Sequence, residues 1–353
     1  MMGLRVYTCP RKLLNGPCGG VLDGACEVNG KPCPWTGVIE RLSSLEPWML
    51  FDEHPLLAEL ERLVESDSKP VDSFLWKNIE RSKAFTVEFP VRTIRSERDI
   101  LRIMSAVDAD LFTVPDNPLG YPHFDPVAFS IRLRDIGSNF GVMPHITAKD
   151  RNLSALASEL RTAQIFGFEA VLLTTGDWPG LSMPSKPVFD LDSPNLIRLA
   201  RFVFAGVLPP GERVPVDSRP RVAGAMSPHY RPRAEARRLI RKLVAGAEVF
   251  FTQVVARKES VRAISETLRE VERSYGADVP VVVSLLYPLR QEMKPFLERM
   301  GIPTGNETFE VLLEEVKALD VKGGVNLIVV SKTVDEWLEL WEEAKELIKE
   351  VFG

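Results

Sequence analysis

The chain has 353 residues, 26% of them charged and 45% hydrophobic, with a formal net charge of −5; this is enough for one large α/β domain plus a small appendage. Its slight acidity, with Lys and Arg interleaved among Asp and Glu, excludes the basic face of a nucleic-acid-binding protein. No apolar run approaches the ~20 residues that span a bilayer, and the first residues lack a signal-peptide core, so a cytoplasmic protein with no membrane partner is expected.

The first segment in chain order, "CPRKLLNGPCGGVLDGACEVNGKPCPW", holds all four cysteines, Cys9, Cys18, Cys26 and Cys33. In a reducing compartment, clustered thiols read as metal ligands before they read as disulfides. Their spacing is neither that of a short zinc ribbon nor that of a ferredoxin, so it leaves a tetrahedral zinc and a 4Fe–4S cluster both open. The glycines in "GPCGG" and "DGACE" let backbone N–H groups approach the sulfurs, which favours the cluster. A small N-terminal four-cysteine domain for a metal or cluster is expected over residues 1–80, completed by two connecting helices. The first, "HPLLAELERLVESDS", places Leu56, Leu57, Leu60 and Leu63 on one face; the second is "VDSFLWKNIERSK".

From residue 81 to 353 the pattern changes. Eight short apolar, β-branched runs follow: "AFTVEFPV", "LFTVPD", "GVMPHIT", "AVLLTTGD", "RVAGAMSP", "VFFTQVV", "VPVVVSLLYP" and "GVNLIVVS". Amphipathic segments such as "SERDILRIMSAVDA", "LSALASELRTAQIFG" and "PRAEARRLIRKLVAGA" separate them, and "VDEWLELWEEAKELIKEVFG" closes the series. Eight such strands with helical crossovers predict a (β/α)8 TIM barrel. In that fold the βα loops gather at the C-terminal ends of the strands, where polar residues line the site. Those ends carry Glu88, Thr113, Asp116, His145, Thr147, Thr175, Asp177, Ser227, His229 and Gln253.

These strand ends resemble the methylenetetrahydrofolate reductase family. "FTVEFPVRT" is similar to its first-strand motif, "PHITAKDRNLSALASELRTAQIFGFEAVLLTTGDWPG" to its third and fourth strands, and "KPVFDLDSPNLIRL" and "RKLVAGAEVFFTQVV" to two further stretches. The cysteine segment resembles the Cys-rich domain of the partner subunit of the acetogen-type reductase, here fused ahead of the barrel. The resemblance implies flavin-dependent reduction (FAD or FMN) of 5,10-methylenetetrahydrofolate, or a related reduced pterin, to its 5-methyl form. It implies an electron-donor protein or NAD(P)H as the source of electrons, and a homo-oligomer or a subunit of a complex. Where the family has an Arg before the Gly-Asp of the fourth strand, this chain has Thr175.

Glu88 ends an apolar strand between Val87 and Phe89, where desolvation raises a carboxyl pKa, and it is the candidate general acid. The bland alternative is a salt-bridged barrel-end carboxylate. Asp177 is expected beside flavin and pterin, against the alternative of a turn aspartate. Gln253 reads as a buried amide that pairs with a pterin. Thr113, His145, Thr147, Asp177, Ser227 and Lys242 are the expected flavin contacts, although a lone His is more often a satisfied core residue and a lone Lys a solvated one. No GxGxxG follows a strand, so no Rossmann-type nicotinamide domain is expected. A rival reading is a non-redox C1-carrier-binding or methyl-transfer protein whose cysteines hold structural zinc.

Overall fold

The computed structural model describes residues 21–22, 25–26, 29–34, 55–64, 69–137, 141–177, 188, 190–319 and 321–352. Eight strands form a closed, all-parallel barrel in sequence order. They are β1 (Ala84–Glu88), β2 (Leu111–Val114), β3 (Gly141–Thr147), β4 (Ala170–Thr174), β5 (Arg221–Met226), β6 (Val249–Thr252), β7 (Val281–Tyr287) and β8 (Gly323–Val329). Each falls within one of the eight expected runs or starts one residue before it. Strands buried on both faces need continuous apolar sequence, and "VVVSLLY" in β7 supplies it.

Eleven helices are present among the described residues. Before the barrel come α1 (Pro55–Glu61) and α2 (Phe74–Glu80). The crossovers are α3 (Glu97–Ala106), α4 (Pro126–Ile136), α5 (Leu153–Ile165), α6 (Ser193–Phe204), α7 (Pro232–Ala245) and α8 (Lys258–Tyr275). The last are α9 (Lys294–Arg299), α10 (Phe309–Lys317) and α11 (Val334–Phe352). Their starts are set locally: Ser96 and Asp99 make a reciprocal capping box on α3, and Asp125, Asn152 and Asp192 cap α4, α5 and α6. The sequence pattern did not single out α4, α9 or α10.

Residues alternate along each strand between two cores. Val87, Phe112, Val114, Ile146 and Leu173 face the helices, while Leu111, Met143, Leu172, Ala223 and Phe251 fill the barrel. The two helices ahead of residue 81 pack on the barrel. Leu75, Trp76 and Ile79 of α2 plug its N-terminal end, Leu57 and Leu60 of α1 join the outer core, and Glu61 pairs with Arg198 and Arg201 of α6. At the seam, β8 lies so close to β1 that a Cβ on Gly324 would sit 1.9 Å from the Ala84 carbonyl oxygen. Only glycine fits there. With the N-terminal end plugged, the C-terminal end is left for a ligand.

Candidate active site

A cavity of 1240 Å³ opens at the C-terminal end of the barrel. Glu88, His145, Thr147, Asp177, Ser227, Lys242 and Gln253 all line it. Glu88 retains some exposure to this space, but its carboxyl group lies deep among protein atoms. Burial, and then the charge of Asp177, push its pKa from 4.5 up to about 7. Near neutral pH the group therefore holds a proton about half the time, which is what a general acid requires.

Asp177 follows β4 and reaches across to the loop after β2, where its Oδ2 accepts a hydrogen bond from the Leu119 N–H at 2.9 Å. Leu119 (φ 63°) and Asn117 (φ 45°) both sit in the left-handed region, which is costly for side chains other than Gly. The Asp177 carboxylate thus holds a strained loop over the cavity while standing near Glu88. Gly176 makes the approach possible: its φ is 95°, and a Cβ there would lie 2.8 Å from Thr147 Cβ.

Thr147 is itself fixed. Its hydroxyl donates to Asp116 Oδ2 at 2.6 Å, and its N–H donates to the same oxygen at 3.0 Å. Arg151 bonds both Asp116 oxygens, at 2.5 and 3.3 Å, and Glu159 at 2.6 Å. The Asp116 side chain is fully buried, so it depends on these partners.

His145 is held neutral, because burial drives its pKa from 6.5 down to about 3, and its Nε2 is enclosed without a partner. Lys242 is buried, donates to the Ala225 carbonyl, and has its pKa lowered by burial. Glu235 organises this edge: Oε1 accepts from the Ser227 N–H at 2.8 Å, and Oε2 accepts from Arg238 at 2.9 Å. Thr175 Oγ1 accepts from the Ser193 N–H at 3.1 Å, at the start of α6. Lys242, Arg238 and Arg241 line this side of the cavity with Glu235 and Asp192, which pair with Arg238 and Arg241 at 2.9 and 3.4 Å; three cations against two carboxylates, beside the α6 N-terminus, leave this side able to take an anion.

Two expectations need correction. Gln253 is exposed, one residue beyond the end of β6, and its Oε1 accepts from the Val254 N–H at 2.9 Å; it is not a buried amide, although it faces the cavity. Thr113 is fully buried and does not line the cavity. The register pairs it with Glu88 on one side and Met143 on the other, and its Oγ1 is enclosed without a partner. His229 lines the cavity but is satisfied by Val254 O at 2.9 Å and Ser260 Oγ at 3.2 Å.

The sequence reading also missed part of the site. Thr86 donates to Asn326 Oδ1 at 2.9 Å, Asn326 donates to Ser284 Oγ at 3.3 Å, and the Ser284 N–H donates to Thr252 Oγ1 at 2.9 Å. These contacts run along the barrel wall through the adjacent strands β1, β8, β7 and β6, and Ser284, Asn326 and Thr252 reach the cavity. Their signal was a single polar residue inside each of the apolar runs of β7 and β8. An apolar wall from Met293, Phe296, Leu297, Met300, Ile302 and Ile328 completes the space.

Of the four cysteines, Cys9 and Cys18 lie outside the described residues. Cys26 is buried, Cys33 is half-buried, and both are free thiols. The pairing of Val21–Leu22 with Ala25–Cys26 and a bridge from Ala25 to Pro32 set Cys26 opposite Lys31; the Cys26 N–H donates to Lys31 O at 2.7 Å. Among the described residues no three His, Cys, Asp or Glu side chains gather as a metal site. Nor is any described helix long and apolar enough to cross a membrane.

Two family models match the chain. Residues 131–301 match the model described as methylenetetrahydrofolate reductase, and residues 4–55 match that described as methylene-tetrahydrofolate reductase C terminal. The larger match runs from α4 through α9, further toward the C-terminus than the motifs read from the sequence, while Glu88 lies outside both. No curated protein matches the chain. Among solved structures, an uncharacterized protein from Clostridium thermocellum that binds two copies of 5-methyl-5,6,7,8-tetrahydrofolic acid aligns with a TM-score of 0.54 at 17% identity. The alignment covers 78% of this chain and 100% of that one, and at such identity the likeness is one of fold.

Proposed function

We propose that this protein reduces the methylene bridge of a reduced pterin, 5,10-methylenetetrahydrofolate or a close relative, to a methyl group with a bound flavin. The observation that carries the reading is Glu88, with a pKa of about 7, facing Asp177 in a large cavity at the catalytic end of a barrel. The match of residues 131–301 supports the substrate class.

The site fits a flavin in two respects. The neutral His145 at the cavity wall would meet a polar ring atom, and the edge bearing Lys242, Arg238 and the α6 N-terminus would meet the phosphate of FMN or the diphosphate of FAD. Thr147, Asp177 and Ser227 would add contacts at the same level, whereas the buried Thr113, paired in register with Glu88, would support them. When bound, the flavin would supply a hydride to the carrier's one-carbon unit.

The chain's own residues do the rest. Glu88 holds a proton and delivers it to the nitrogen that leaves as the bridge opens. Asp177 keeps that proton in place through its charge and favours the cationic one-carbon unit that opening creates. Gln253 offers its free amide N–H groups to the pterin edge. The apolar wall around Phe296 and Ile328 packs the carrier's aromatic portion and excludes water. The cysteine segment is proposed to hold a 4Fe–4S cluster, with structural zinc as the alternative, measured by iron, sulfide and zinc content of anaerobically purified protein.

A second reading is favoured by one observation. Thr175 stands where the family has an Arg, and its hydroxyl is spent on the start of α6. A carrier-binding protein without redox chemistry would need no cation there, and the solved neighbour binds a methylated carrier. One experiment separates the two. Protein reconstituted with FAD or FMN is mixed anaerobically with 5-methyltetrahydrofolate, and absorbance near the flavin maximum is followed. Bleaching is the expected result. Carrier binding in a protein that takes up neither flavin would leave the second reading as the better account.

A further inference from the structure

A second cationic edge stands apart from Lys242, on the opposite side of the cavity mouth. Arg92 and Arg95, in the loop after β1, both line the cavity and are exposed. Among the described residues neither forms an ion pair, although this protein pairs its arginines elsewhere: Arg151 with Asp116, Arg198 with Glu61, Arg219 with Glu248, Arg290 with Glu336. Asp99 is spent on the backbone N–H groups of Arg95 and Ser96. The charges of both arginines face His123, whose Nε2 is enclosed without a partner. Two exposed guanidinium groups with no carboxylate paired to them repel one another, and an anionic group joining them would relieve that repulsion; His123 has its pKa lowered by burial and then by their charges, so it adds no charge near neutral pH.

The cluster is also preorganised. Arg95 Nη1 donates to the Arg92 and Ile94 carbonyls, at 2.9 Å each, which fixes the plane of its guanidinium. The His123 N–H donates to Asn117 Oδ1 at 3.0 Å, and Asn117 belongs to the strained loop that Asp177 holds through Leu119. A loop tied down at both points costs little further ordering when a ligand arrives.

We infer that Arg92 and Arg95 form a subsite for an oligo-anionic group at the far end of the ligand that reacts beside Glu88. This rests on the carrier reading above, under which the group is the tail of the reduced pterin, either several carboxylates of an oligoglutamate tail or a phosphate on a modified one. Glu88 and Asp177 lie between this edge and the Lys242 edge. A bound pair of molecules then keeps its reacting, neutral-to-cationic parts at the carboxylates and its anionic ends at opposite rims.

The test is calorimetric titration of the full chain with the monoglutamate and triglutamate forms of 5-methyltetrahydrofolate, in low salt, for the native protein and for Arg92→Gln/Arg95→Gln. The native protein is expected to bind the triglutamate about tenfold more tightly, the scale that two or three exposed ion pairs supply, and the ratio is expected to collapse toward one in the double variant. Equal affinities for the two tails, with pyrophosphate competing against the carrier in the native protein only, would assign the subsite to phosphate. A native protein that shows neither tail preference nor pyrophosphate competition overturns the subsite, as does a preference the variant keeps. If the native protein binds neither carrier form, the carrier reading itself fails. Titration with pyrophosphate alone then decides the subsite: binding lost in the variant supports it, and no binding overturns it.

Discussion

Replacing Glu88 by Gln removes one titrating group and keeps the side chain's size, so its effect on stability reads the site's electrostatics directly. The Glu88 pKa is raised from 4.5 in the unfolded chain to about 7 in the fold. Between those values the folded state binds more protons than the unfolded state, so stability is fully present below pH 4.5 and is lost as the pH rises through 7. At about 1.4 kcal/mol per pH unit, the interval amounts to about 3 kcal/mol. His145 works in the opposite sense. Its pKa falls from 6.5 to about 3, so its contribution is lost as the pH drops below 6.5. The two slopes offset each other between pH 4.5 and 6.5, and the raw curve of the native protein hides both. The readout is therefore the difference between Glu88→Gln and the native protein in urea denaturation, taken from pH 4.5 to 8.5 at fixed ionic strength. The variant is expected to gain about 3 kcal/mol relative to the native protein across that range, most of it by pH 7.5. Two curves that run parallel would mean that Glu88 titrates normally, and the general-acid assignment would lose its physical basis.

Two further substitutions test what frames the site. Arg151→Met leaves the fully buried Asp116 without its ion pair and is expected to cost about 3–5 kcal/mol in denaturant unfolding; a midpoint close to the native one would mean the network supports nothing. Gly324→Ala places a methyl group 1.9 Å from the Ala84 carbonyl oxygen and is expected to prevent the barrel from closing, read as loss of soluble, cooperatively unfolding protein. A soluble variant with native cooperativity would show that the β8–β1 seam can move apart.

How far this site can be read from the sequence depends on which geometric quantity is asked for. Strand existence is legible, because a strand covered on both faces must be a short apolar, β-branched run, and all eight are. Parity is legible too. Residues two apart share a face, so Glu88 goes with Thr86, and His145 goes with Met143 and Thr147. The layer is not legible. Barrel strands are staggered by the shear of the sheet, and only the structure reveals that Thr113 is fully closed off while Glu88, its register partner on β1, lines the cavity. The end of a strand is equally hidden. Gln253 has the parity of Phe251, yet β6 stops at Thr252, and the amide turns out into the open cavity. Contacts across the mouth are harder still. Asp177 meets the Leu119 N–H across 58 residues of chain, and the bond forms only because Leu119 adopts a left-handed conformation that its own side chain disfavours. No local pattern encodes that loop. The carboxylate that holds this loop is also the one that helps keep Glu88 protonated, so the loop's conformation and the proton on the acid depend on the same side chain.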